Sequence, residues 1–182
     1  LELIELLTGS VTEQEANLLY IAVTTDTGCF QYANTNAATL RAAARLLELG
    51  ADNRKVSMEF FRKISRARMA LVGHIYSGMR FFRGGQIAIA VVTRALIDAL
   101  QATEDDCGDI AGLPGRADGV VVSVTIRELT DGRSKISVRT TPEVDSCAIC
   151  AVYGGGGHKM ASGCTLTCDP ETAVEKILAA ID

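Results

Sequence analysis

Tryptophan is absent, and aromatic residues make up only 5% of the 182 positions, so a core must be built from aliphatic side chains. That core can be substantial, because 48% of the residues are hydrophobic. There is no basic excess. The 18 Lys and Arg face 22 Asp and Glu, for a net charge of −4. Such a balance supplies no bulk field for long nucleic acid, so any polyanion must be read in a local pocket. No apolar run approaches the ~20 residues that cross a bilayer. The longest, such as residues 87–92, are far shorter. Histidine is scarce, with only His74 and His158 to supply an imidazole. No internal repeat is visible. Six cysteines accompany an opening that is not signal-like, and a reduced, cytoplasmic protein is expected. The length suggests one domain or two small ones.

Against those absences stands one dense run, Gly154-Gly155-Gly156-Gly157-His158-Lys159-Met160-Ala161-Ser162-Gly163. Four glycines leave the backbone bare, so peptide N–H groups can close around an anion. A histidine follows at once as a proton donor. The small residues at 161–163 predict a helix start packed behind the loop, the usual place for a phosphate. A flexible tether is the bland alternative. Tethers are usually longer and Ser-rich, whereas this run lies between the apolar segments 144–153 and 164–168.

Patterning places the rest. Residues 1–7 form an apolar helix that Gly9 ends, and Thr12 with Glu15 makes a capping box for a helix through 22. Residues 24–30 read as a polar turn. Asn36 caps a helix over 37–49 that Gly50 stops, and Asp52 caps a short one to 61. Ser65 opens a helix to 77. Residues 79–83 and 86–92 pair around Gly84-Gly85, and Thr93 caps a helix to about 101, with a second helical segment over 106–113. Strands over 119–128 and 133–140 meet at Asp131-Gly132. Asp145 caps a short helix bearing Cys147 and Cys150. Residues 164–168 form a strand with Cys164 and Cys168 on one face, and Asp169-Pro170 opens the last helix. The four cysteines around His158 suggest a zinc site, although small buried hydrophobes account for them more simply.

Three further residues are candidates for chemistry. Asp26, in Thr-Asp-Thr-Gly, suits a hard-metal ligand, though such turns also use Asp as a local cap. Arg139 alternates with Ile136 and Val138 and therefore faces away from them. It is either a solvated strand end or a guanidinium fork for phosphate. His74, in an apolar helix, is expected to be structural. Arg62, Lys63, Arg66 and Arg68 read mostly as a solvated face.

Gly154–Gly163 resembles the Gly-Gly-Gly-His motif of the DHH-associated substrate-binding domain. Thr-Thr-Asp-Thr-Gly-Cys-Phe at 24–30, continued by Gln31–Thr35, resembles the fourth metal-binding motif of DHH phosphoesterases, and residues 122–140 continue the match. Together they cover essentially the whole chain, and the nearest group is the bacterial nanoRNases. The Asp-His-His triplet that names the superfamily is absent. The expectation is therefore the C-terminal portion of a longer enzyme. The implied fold class is α/β: a helical remainder of a DHH catalytic domain over residues 1–77, ending in a connector helix, then an α+β substrate-binding domain with a mixed sheet over 79–182.

The resemblance implies hydrolysis of short oligoribonucleotides, and of pAp, to mononucleotides. Asp26 would be one ligand of a two-manganese (Mn2+) centre whose other ligands lie outside this chain. Gly155, Gly156 and Gly157 would present N–H groups to a substrate phosphate, and His158 would neutralise it during cleavage. Arg139 would bind the far end of the nucleotide, with Arg116 in Leu-Pro-Gly-Arg a weaker candidate for that role. The family's Ala-Ala-Gly is Ala161-Ser162-Gly163 here. The implied partners are short RNA or nucleotide phosphates, with no membrane and a homodimer left open. Two other readings stand beside this one. The first is a phosphodiesterase acting on linear dinucleotides from cyclic-dinucleotide breakdown or on single-stranded DNA ends. The second is a phosphate- or nucleic-acid-binding module with no chemistry.

Overall fold

A computed structural model describes residues 2–181, which divide into two compact units between Ile64 and Ser65. The first unit is helical. Its elements are α1 (Glu2–Thr8), α2 (Glu13–Asp26), α3 (Ala37–Glu48) and α4 (Asn53–Ser57), followed by a π-helical turn, Met58–Arg62. The predicted caps are in place. Thr12 and Glu15 exchange hydrogen bonds as a capping box, Asn36 Oδ1 accepts from Ala38 and Thr39, and Asp52 Oδ1 accepts from Lys55. Val11, Ala16, Tyr20, Ala43, Leu46, Ala51 and Val56 form the buried core.

α2 runs four residues beyond its predicted end at 22. The Thr24 and Thr27 hydroxyls donate to the carbonyls of Tyr20 and Val23, one turn back, so these polar side chains are satisfied without leaving the helix. It stops where Gly28, Cys29 and Phe30 all take positive φ, at 54°, 56° and 66°. The short helix after Asp52 is likewise split, with α-helix giving way to the π turn at Met58.

The second unit contains α5 (Arg66–Gly78), β1 (Arg80–Phe82), β2 (Ile87–Val92), α6 (Arg94–Ala99), β3 (Val122–Glu128), β4 (Ser134–Thr140), α7 (Ser146–Ala151), β5 (Gly156–His158), β6 (Ala161–Leu166) and α8 (Pro170–Ile181). The compact boundary falls at Ile64/Ser65 because α5 buries Leu71 and Ile75 with Ala90 and Val92 of β2. Sequence patterning attached that helix to the N-terminal part. The predicted helix over 106–113 is instead two 3-10 turns, Ile110–Gly112 and Pro114–Arg116. Proline at 114 and glycines at 112 and 115 leave no uninterrupted helical stretch.

The six strands form one mixed sheet in the order β1-β2-β3-β4-β6-β5. Only β2 and β3 run parallel, which requires the long crossover through α6 and the two 3-10 turns. Side chains alternate between two faces. One face carries Ile87, Ile89, Val122, Val124, Ile126, Ile136, Val138, Cys164 and Leu166. These pack with Ile149 and Cys150 of α7 and with Ala173, Val174 and Ile177 of α8. On the other face, Ala90 and Val92 pack with α5, Ile97, Cys107, Ile110 and Leu113. The β3–β4 end of that second face carries polar side chains, and the candidate site lies there.

Residues 161–163 do not start the helix that the sequence pattern predicts. They open strand β6. Their smallness serves close strand packing. A Cβ at Gly163 would lie 2.9 Å from Ile136 O. Cys164 is buried in β6, whereas Cys168 lies beyond the strand's end at Leu166.

Candidate phosphate-binding face

Strand register assembles the site. Arg139 of β4 pairs with Ser123 of β3 on one side and Ala161 of β6 on the other, and Ala161 pairs with His158 of β5. Directly opposed residues project from the same face of a sheet. Arg139 and His158 therefore stand on one face, two strands apart, roughly 10 Å at ordinary strand spacing. Between them lies only the methyl group of Ala161. Arg139 Nη1 donates to its neighbour's carbonyl, Val138 O, at 3.0 Å, and the guanidinium has no ion pair among the described residues. His158 is exposed. Its backbone is anchored, with its carbonyl accepting from Ser146 Oγ at 3.1 Å and Lys159 O accepting from Ser146 N at 2.7 Å.

The glycine run is two structures joined end to end. The N–H groups of Gly154 and Gly155 donate to Ala151 O and Cys150 O, closing the C-terminus of α7. Gly156 and Gly157 belong to β5 and pair with Gly163 and Ser162. Because the Gly155 amide is committed to α7, an amide offered to a ligand must come from 156 onward. Gly155 is required for a steric reason: an added Cβ would lie 2.3 Å from Gly163 O and 2.5 Å from Cys164 Cβ. Gly157, at φ 147°, would place a Cβ 2.5 Å from Ala161 O. Bare backbone here lets β5 lie hard against β6, which sets the position of His158.

Ser162 does more than fill space. Its hydroxyl donates to Ser146 O at 2.6 Å and lies 3.1 Å from Cys150 Sγ, tying β6 to α7 beneath the glycine run. The buried Cys164 thiol hydrogen-bonds Cys150. That bond and burial push Cys164 up, and the same bond draws Cys150 down to about 7 against its own burial.

Arg116 is exposed at the end of its 3-10 turn. That turn lies against the same face of the sheet, because a Cβ at Gly115 would fall 2.9 Å from Ser123 Oγ. Next to Arg139 opens a cleft of about 360 Å³ whose lining includes Thr125, Arg127, Lys135, Ser137, Glu104 and Asp109. These residues belong to no motif of the sequence. The alternation that turned Arg139 away from Ile136 and Val138 also carries Lys135 and Ser137, so two of the six were legible. Glu104 and Asp109 come from the loop before Ile110, which no strand pattern reveals.

That loop is fixed from α5. Ser65 Oγ donates to Asp106 Oδ1, Thr103 N and Oγ1 donate to Asp106 Oδ2 at 2.8 and 2.9 Å, and Arg68 Nη1 donates to Asp106 O and Gly108 O. The hydrogen bonds from Ser65 and then Thr103 hold the Asp106 carboxyl below its ordinary range. Arg68 is therefore a loop clamp and no part of a solvated face. His74, expected to be structural, is exposed on α5, because the buried stripe of that helix runs through Leu71 and Ile75.

Asp26 belongs to the other unit, as the last residue of α2. It is exposed, and its Oδ2 accepts from Asn34 Nδ2 at 3.0 Å. Among the described residues no three His, Cys, Asp or Glu side chains gather as a metal would require. One exposed carboxylate does not fit a two-metal centre by itself, and the cysteines around His158 do not complete a zinc set.

With this geometry in view, the relatives of the chain become informative. Residues 84–182, more than half of the chain, match the DHHA1 domain model. The chain belongs to the DHHA1 domain family. Arg116, Arg139 and the glycine–histidine run all lie inside the DHHA1 domain, and Asp26 lies outside it. The bifunctional oligoribonuclease and PAP phosphatase NrnA of Thermus thermophilus is 36% identical over 182 residues, covering 99% of this chain and 54% of the relative. The protein of the same name from Mycoplasma genitalium is 32% identical, over 84% of this chain and 46% of its own. An exopolyphosphatase-related protein from Bacteroides fragilis, 26% identical, superposes with a TM-score of 0.86 over 94% of this chain and 50% of that one. The chain thus spans about half the length of the relatives it matches. Among the described residues no helix is long and apolar enough to cross a membrane.

Proposed function

We propose that this chain is the substrate-holding part of a metal-dependent phosphoesterase that hydrolyses short oligoribonucleotides, and pAp, to mononucleotides. The observation that carries the reading is the register row Ser123–Arg139–Ala161–His158, which aims a guanidinium and an imidazole from one face across a methyl-sized floor. The names of the relatives supply the substrate class.

In this reading the Arg139 fork grips a phosphate by paired N–H bonds, fixing the ligand's position and direction. Arg116 adds positive charge from the turn beside Ser123. His158 donates to an oxygen of the phosphate being cleaved and offsets the charge that grows on it as the ester breaks. Because consecutive N–H groups of the β5 edge strand alternate between β6 and the open side, one of the Gly156 and Gly157 amides is left to share that phosphate. A bound pair of Mn2+ ions, with Asp26 among the ligands, would supply the activated water. The remaining ligands would come from outside these 182 residues, so the chain alone binds without turning over. Short substrates suit a pocket of limited volume on a protein whose net charge of −4 supplies no bulk attraction for a long strand.

The test has two arms. The purified chain is expected to bind 5′-phosphorylated short RNA and to show no hydrolysis with Mn2+. Robust Mn2+-dependent turnover by the chain alone would overturn the assignment of the metal centre. In the longer enzyme, His158→Ala is expected to cut turnover roughly 10²-fold, as for loss of one charge-stabilising donor, with metal content unchanged. That no three-ligand cluster gathers among the described residues favours a second reading, a phosphate-binding module without chemistry. Weakened binding by that variant with turnover intact would select it.

A further inference from the structure

The cleft beyond Arg139 is not needed to hold a single phosphate. Its lining comes from alternate residues of β4, namely Lys135, Ser137 and Arg139, with Thr125 and Arg127 beside them on β3. Two residues of strand rise about 6.8 Å, so Lys135 stands about 13 Å from Arg139 along the strand. The two cations therefore mark opposite ends of the cleft lining.

The charges are not distributed evenly. Arg127 is largely buried and already paired, Nη1 to Glu104 Oε2 at 2.6 Å. Lys135 is exposed at the cleft and has no ion pair among the described residues. Its ammonium is thus the uncompensated cation at this end, as Arg139 is at the other. Between them Ser137 presents a hydroxyl, whereas the buried Thr125 hydroxyl is directed at Ile110 O. Asp109, itself at φ 54° in the loop before Ile110, adds a carboxylate residue to the lining.

This pattern points to a ligand that alternates anion with hydrogen-bond donor. A chain of bare phosphates would meet the Asp109 carboxylate and be repelled. A ribonucleotide strand would place a hydroxyl or base amine there. The cleft volume, about 360 Å³, lies within the ordinary range for small-molecule sites, roughly 300–1,000 Å³. We infer that this cleft is a second subsite that takes the next nucleotide of a single-stranded oligoribonucleotide, with Lys135 on its phosphate and Asp109 accepting from its sugar or base. The inference rests on the proposed function. It adds how length is sensed: a mononucleotide fills the Arg139 end alone, and a longer strand also fills the Lys135 end.

The test compares AMP and a pentaribonucleotide, each binding to the 182-residue chain and to its Lys135→Gln and Lys135→Arg variants, at several salt concentrations. Lys135→Gln is expected to weaken pentanucleotide binding about tenfold at low salt and to lower its log–log salt slope by about 0.7, the loss of one single-strand phosphate contact. AMP binding is expected to be unchanged, and Lys135→Arg to restore the pentanucleotide. Equal losses for both ligands, or none for the pentanucleotide, would overturn the second subsite alone. Failure of the unsubstituted chain to bind either ligand would overturn the proposed function, and this inference with it.

Discussion

Gly155→Ala isolates the contribution of backbone closeness to this fold. The added methyl would fall 2.3 Å from Gly163 O, 2.5 Å from Cys164 Cβ and 2.9 Å from Cys164 Cα. Two of these three atoms are backbone in the middle of β6, which is itself hydrogen-bonded to β4. They cannot rotate away, so β5 must lift off β6. Overpacking a tight site costs typically 1–3 kcal/mol, and a clash with paired backbone belongs at or above the upper end, ~3 kcal/mol. For a unit of this size that lowers the melting midpoint by about 10 °C. Gly156→Ala is the control. Nothing lies within 4 Å of its added Cβ and its φ is not positive, so it is expected to stay within about 0.5 kcal/mol of the parent. Denaturant unfolding of the three proteins, monitored by circular dichroism, measures the difference. If Gly155→Ala were neutral, or the two variants equally destabilised, the steric account of the glycine run would be wrong. Because His158 is carried on β5, the first variant is also expected to weaken phosphate binding in whatever fraction remains folded.

Other expectations follow from single contacts. Ser162→Ala removes the bond to Ser146 O and should cost about 1 kcal/mol in unfolding experiments. No change would mean that the hydroxyl only fills space. Asp106 is depressed by the bonds from Ser65 and Thr103, so its contribution is full above the ordinary carboxylate value of about 3.9 and fades as pH falls through the depressed one. An acid titration of stability should therefore show a loss in that window that Asp106→Asn lacks. An unchanged acid limb in the variant would refute the loop clamp. Asp169 Oδ1 accepts from Glu171 N and Thr172 N at the start of α8, so Asp169→Ala should cost about 1 kcal/mol, read by thermal unfolding.

Much of the architecture was legible because it is encoded locally. A cap needs an acceptor side chain within three residues of a bare N–H. Thr12, Asn36, Asp52, Ser65, Thr93, Asp145 and Asp169 each sit at the helix start their neighbours predict. The Asp131-Gly132 turn joins β3 to β4 for the same reason, with Gly132 at φ 77°. Misreadings arose where a local signal had two meanings. Small residues at 161–163 suit a helix start or a crowded strand, and only the presence of β5 and β4 on either side decides for the strand. Three threonines at 24–27 suggest a turn, yet their hydroxyls can serve the helix's own carbonyls.

The candidate site divides the same way. Composition and motif alone single out His158, Arg139 and the glycines, since bare backbone beside an imidazole and a strand-end guanidinium are properties of the residues themselves. What each glycine is for, and which side chains share a face with Arg139, depend on strand order. β6 enters between β4 and β5, so residues 139 and 158 meet across residue 161, and the loop holding Glu104 and Asp109 joins Lys135 in lining the cleft. Those pairings join positions twenty to thirty residues apart, where no local propensity reaches, and they are fixed only when the two faces of the sheet bury their aliphatic rows.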